Sequence, residues 1–96
     1  MIYIIRYGHT NLVKVGRTTS LSRRLANLQS GSPEKLTVLQ SWETGETADY
    51  IIEGILHRLL DSRAHCLEWF RFSVRDLRYI KQANTIADLI KYLRRI

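Results

Sequence analysis

Ile2-Tyr3-Ile4-Ile5-Arg6-Tyr7-Gly8-His9-Thr10-Asn11-Leu12-Val13-Lys14-Val15-Gly16 is the stretch whose reading decides the fold. Two β-rich runs, Ile2 to Tyr7 and Leu12 to Val15, flank the turn formers Gly8 to Asn11, and together they predict an antiparallel hairpin. Gly16 then ends the second strand. Alternation puts Tyr3 with Ile5 on one face of its strand, and Lys14 with Leu12 and Gly16 on one face of the other. Whether those two faces coincide depends on the register of the pair.

Working outward, Ser20 is a good N-cap for a helix in which Leu21, Leu25 and Leu28 recur at i, i+4 and i+7, and Gly31-Ser32-Pro33 terminates it. Leu36 to Trp42 reads as a third strand. A second helix is expected from Thr47 to about Leu60. Its apolar positions Ala48, Ile51, Ile52, Ile55, Leu56, Leu59 and Leu60 cover so much of the circumference that it reads as the central helix. Leu67 to Phe72 reads as a short strand or extended edge. Ser73 followed by Asp76 is a capping-box pattern that opens a third helix, and Asn84 or Thr85 caps a fourth with the stripe Ile86, Leu89, Ile90 and Leu93. The fold expected is α+β, with a small three-stranded mixed or antiparallel sheet flanked by helices. Residues 1–72 form its main part, and residues 73–96 add a basic helical extension packed on the same domain.

Composition bounds the function. Ninety-six residues, 45% of them hydrophobic, support one core. The single cysteine, Cys66, excludes an internal disulfide and a multi-cysteine zinc site, and His9, His65 and Cys66 have no spacing of a ligand set. Arg6 interrupts the apolar N-terminus too soon for a signal peptide, and no apolar run is long enough for a membrane span, so a soluble cytoplasmic protein is expected. The net charge of +6 favours a polyanionic partner. Most of it lies late in the chain, where Arg71, Arg75, Arg78, Lys81, Lys91, Arg94 and Arg95 face only Asp76 and Asp88. Such a segment reads as a track for phosphates, or as the solvated faces of two amphipathic helices.

Five elements in order then resemble a known family: Ile2-Tyr3-Ile4-Ile5-Arg6; Val13-Lys14-Val15-Gly16; Arg24-Leu25-Ala26-Asn27-Leu28-Gln29-Ser30-Gly31-Ser32-Pro33; Glu53 with Leu56-His57; and Glu68-Trp69-Phe70. Over residues 2 to 70 the chain is similar to the compact phage and bacterial branch of the GIY-YIG nuclease superfamily. The resemblance implies a small sheet flanked by helices and phosphodiester hydrolysis with one Mg²⁺ or Mn²⁺ ion on one face. Tyr3 matches the tyrosine of the GIY element, and Lys14, in the KIG-like element Lys14-Val15-Gly16, stands where YIG has its tyrosine. Arg24 matches the helix arginine and Glu53 the metal-binding glutamate. Leu28 stands where some relatives place a histidine.

The residue types suit the chemistry. Phosphodiester hydrolysis needs an activated water and neutralisation of charge on the phosphoryl oxygens, which a cation on Glu53 and the rigid guanidinium of Arg24 would supply. Tyrosine is a poor base at neutral pH, but an adjacent ammonium such as that of Lys14 favours the phenolate, which makes Tyr3 the candidate base. His57 is a candidate to protonate the leaving group or orient a phosphate, and Arg17 and Arg23 are candidate phosphate contacts. By themselves, Asp49, Glu53 and His57 equally fit the solvated side of a helix, and Tyr3 and Lys14 fit a core tyrosine and an edge-strand gatekeeper. Glu68 either fixes the active face or sits on its rim. DNA is the expected partner, with RNA also compatible, and cutting both strands would call for a homodimer. The competing expectation is a nucleic-acid-binding or regulatory module on the same fold, or a phage-type partner-binding protein.

Overall fold

The computed structural model describes residues 1–66 and 68–95. The hairpin forms as its sequence predicts: β1 (Ile2–Tyr7) and β2 (Leu12–Arg17) pair antiparallel with Tyr3 opposite Gly16 and Ile5 opposite Lys14. Its turn is held by hydrogen bonds from the Thr10 amide to the Tyr7 carbonyl (3.1 Å) and from Arg6 Nε to the Thr10 carbonyl (2.7 Å), and Gly8 takes a positive φ of 53° that glycine adopts without strain. Directly opposed residues share a face, so Tyr3, Ile5, Lys14 and Gly16 all lie on one side of the sheet.

The remaining elements are α1 (Leu21–Ser30), β3 (Leu36–Trp42), α2 (Glu46–Leu59), β4 (Ala64–Cys66), β5 (Trp69–Arg71), α3 (Val74–Gln82) and α4 (Ile86–Arg94). The sheet runs β3-β1-β2-β5-β4 and every described pairing is antiparallel. The sequence predicts three strands; the structure has five. Of the two added strands, β5 falls within the short extended segment expected over residues 67–72 and joins the sheet by pairing with β2, whereas the three residues of β4 are too few for alternation to show and are a strand because they pair with β5. Of the extended segment expected over Leu67 to Phe72, Leu67 lies outside the described residues.

The two faces of the sheet are covered unequally. Ile2, Ile4, Val13, Val15 and Phe70 point into the main core with Leu56 and Leu60 of α2, Leu77 and Ile80 of α3, and Leu89 and Leu93 of α4. The stripe on α4 is therefore consumed by the core. Tyr3, Ile5 and Leu36 point the other way, where Leu21, Leu25 and Leu28 of α1, Val38 of β3 and the rings of Tyr7 and Trp69 pack against them. No residue of α1 is fully buried.

Two local expectations change. Ser20 occupies the N-cap of α1 without a capping bond from its side chain, whereas the Ser73–Asp76 capping box and the Thr85 cap on the Asp88 amide form. α2 is not central: Leu56 is buried against the sheet while Tyr50 and Ile51 are exposed, because in a chain this small the helix has a sheet on one side and solvent on the other. No helix is long and apolar enough to cross a membrane among the described residues.

Candidate active site

β2 is longer than its outer neighbour. β5 pairs with Leu12, Val13 and Lys14, and after a last hydrogen bond between the Val15 amide and the Glu68 carbonyl (3.4 Å) the edge of β2 lies open. The carbonyl of Val15 points into this gap and accepts a hydrogen bond from His57 Nε2 at 2.7 Å. A carbonyl can only accept, so Nε2 is the donor. The His57 ring also leans on Phe70, 5.4 Å between centroids.

His57 and Glu53 reach the gap from α2, which lies over the main core. Glu68 reaches it from the turn before β5. One ligand-capable atom from each of the three lies within 4.8 Å of the others. Glu68 is held by Lys14, whose ammonium is 2.8 Å from its Oε2 and 5.7 Å from the centre of the Trp69 ring. Glu53 lies 3.5 Å from Arg17 Nε, and the Arg17 guanidinium rests on the exposed Tyr50 ring at 5.1 Å.

From the opposite face, Arg24 of α1 donates through Nε to the hydroxyl of Tyr3 at 3.2 Å. Tyr3 is fully buried, and its phenol end lies against Gly16, where an added Cβ would sit 2.6 Å from the phenol Cζ. Glycine is needed there for close approach. The hydrogen bond to Tyr3 and the charge a phenolate would carry hold the Arg24 pKa above its ordinary value; burial opposes this, while Glu68 and Glu53 add to it. Burial pushes the Glu68 carboxyl up, but the Lys14 hydrogen bond and charge, with His57 and Arg24, outweigh burial and leave its pKa below the usual value. Charged and polar side chains on three sides of one gap thus sense one another.

Lys14 departs from the place expected of it. It shares a face with Tyr3, yet its ammonium bonds Glu68, and the cation on the Tyr3 hydroxyl is Arg24. Asp49 does not continue the Glu53–His57 stripe: it is buried and bonded to the Met1 amino group and the Thr44 hydroxyl. His57 pairs with a backbone carbonyl, not with Glu53. Arg23 is exposed on α1. Arg75, Arg78 and Lys81 on α3, Lys91 and Arg94 on α4, and Arg95 just after it are exposed too, but their helices pack on the face opposite Tyr3 and Arg24. The residue the sequence reading undervalues is Glu68. Its place in the Glu68-Trp69-Phe70 element was a signal, but its closeness to Lys14, Glu53 and His57 comes from sheet pairing.

Two carboxylates and an imidazole within reach of one another form a donor set that suits a hard divalent cation. Among the described residues Glu68 Oε1 has no hydrogen bond, and Lys14 occupies only Oε2. The residues therefore fit such an ion. Comparison with curated proteins and with solved structures gives no significant match. The family model described as T5orf172 domain matches residues 1–87, a span that contains every member of this cluster, and the chain belongs to that nuclease-associated domain family.

Proposed function

We propose that the protein is a GIY-YIG-type endonuclease that hydrolyses phosphodiester bonds in DNA with the help of one divalent cation. Two observations support this reading: the Arg24–Tyr3 pair, and the Glu53–His57–Glu68 cluster whose two carboxylates help raise the Arg24 pKa. A phosphate in the gap at the open edge of β2 would have a guanidinium on one side and the carboxylate–imidazole set on the other. Arg24 spends Nε on Tyr3, which leaves both terminal amino groups to fork onto two phosphoryl oxygens. The phenolate form of Tyr3, held by the Arg24 guanidinium, accepts a proton from the attacking water and becomes the neutral phenol.

Glu53, Glu68 and His57 would hold Mg²⁺ or Mn²⁺, which when bound neutralises charge building on the phosphoryl oxygens. Lys14 is then a positioning residue, aiming the Glu68 carboxylate. The exposed Arg17 and Arg23 take flanking phosphates.

Incubation with supercoiled plasmid and Mg²⁺ or Mn²⁺ tests the reading. The wild type is expected to nick the plasmid, and Glu53→Ala to lose about 10²- to 10³-fold or more of that rate, the scale seen when a transition-state stabiliser is removed. Equal nicking by both proteins, or none by the wild type across duplex, single-stranded and junction substrates, would sink it.

A further inference from the structure

An open groove of about 550 Å³ lies on the α1 face next to the cluster. Tyr7, Leu12, Leu28 and Trp69 supply apolar walls, and the exposed Asn27 and His65 bring polar groups to it. Its size is that of a small-molecule site, and its make-up, mostly apolar with a few polar groups, is also that of one. Tyr7 and Trp69 stand edge to face, 5.8 Å between centroids and 77° apart.

The groove is lined by neighbours of candidate-site residues. Asn27 and Leu28 follow Arg24 by three and four residues, one turn of about 5.4 Å further along α1. Trp69 is the residue after Glu68, and the Lys14 ammonium stands over its ring. A second guanidinium adjoins at the β4–β5 end, where Arg71 Nη2 donates to His65 Nδ1 at 2.8 Å. An apolar groove bordered by cations on two sides favours a flat, aromatic group carried on a polyanion over an apolar peptide side chain.

We propose that the groove receives a nucleobase, that of the nucleotide adjoining the phosphate on Arg24, so that the substrate presents an unpaired or extruded base. The inference rests on the nuclease reading above. Bases in an intact duplex are stacked on both faces and do not enter a groove between a helix and a sheet; one taken out of the stack does. The ring stacks on the aromatic walls, and the Asn27 amide, which offers both a donor and an acceptor, meets its edge.

Trp42→Phe leaves Trp69 as the one tryptophan of the chain. Binding is measured in EDTA, so that no strand is cut, with a single-stranded oligonucleotide, an abasic strand of equal length and the matching duplex. Trp69 emission is expected to be quenched by the base-bearing strand, which binds about tenfold more tightly than the abasic one, the scale of one stacked base. Asn27→Leu, at an exposed position, is expected to narrow that ratio while abasic affinity stays the same. Fluorescence anisotropy of labelled strands with the unsubstituted chain gives the ratio independently of Trp42→Phe.

A ratio near one without quenching, or equal affinity for the duplex, overturns the proposal. The two readings fail separately. Plasmid nicking that needs Glu53 together with a ratio near one removes only the base site. Base-dependent quenching by a chain that nicks nothing keeps the base site and removes the nuclease.

Discussion

At Gly16 a single methyl group separates a working site from a blocked one. The phenol end of Tyr3 lies against that glycine, so Gly16→Ala forces either the phenol or β2 to move. The substitution is expected to cost about 1–3 kcal/mol, as overpacking typically does, and to lower nicking by displacing the hydroxyl from Arg24. Urea unfolding of Gly16→Ala, Tyr3→Ala and the double variant checks the cause: in the Tyr3→Ala background the penalty of the alanine should vanish. A penalty of the same size in both backgrounds would point to backbone strain instead. The same residue pair shows the limit of local reading, since the hairpin is written in Ile2 to Gly16 while the contact of phenol with glycine required the Tyr3–Gly16 register.

Among the elements, the junction of α3 and α4 with the turn at Asp61–Arg63 is organised by one carboxylate. Asp76 closes the capping box on Ser73, accepts from Arg63 at 2.6 Å and from the Tyr92 hydroxyl at 2.6 Å, and is itself buried. Burial pushes its pKa up, but the hydrogen bonds from Tyr92, Ser73 and Arg63 outweigh it and bring the value to about 2 from 3.8. A depressed carboxyl stabilises the fold above its unfolded pKa and loses that contribution as pH falls through the folded one. About 2 kcal/mol is therefore expected to disappear between about pH 4 and about pH 2. Asp76→Asn should be less stable near neutrality and show a shallower acid limb in urea unfolding at stepped pH. Asp49 and Glu68, shifted in the same direction, keep some slope in that variant. The Ser73–Asp76 spacing shows the cap in the sequence, but nothing in it shows Arg63 and Tyr92 arriving from either side.

For the molecule as a whole, the exposed cations of the last two helices share a face with only part of the candidate site. The exposed cations of α3 and α4 ride on helices that cover the main core beside α2, the helix of Glu53 and His57, while Tyr3 and Lys14 lie on the other face under α1, which carries Arg24. Replacing Lys91, Arg94 and Arg95 by Gln is expected to weaken DNA binding and to flatten the slope of log affinity against log salt by about 0.9 for each phosphate left without its cation. Single-turnover nicking at saturating DNA should be unchanged. Filter binding at stepped salt, paired with that rate, separates the two effects; a fall in the saturated rate would mean that these cations reach the scissile phosphate.

What the sequence determined by itself is local: the hairpin, the three longer strands, the four helices, and the Asp76 and Thr85 caps. These depend on periodicity and turn chemistry acting over a few residues. The tertiary structure alone decided that β4 exists and that β5 joins the sheet beside β2, that Lys14 holds Glu68 across 54 residues, and that His57 reaches the Val15 carbonyl across 42. It also decided that the basic helices cover the face opposite α1. Such pairings follow from which strand edges remain open after the sheet has assembled, and that depends on segments distant in the chain finding one another.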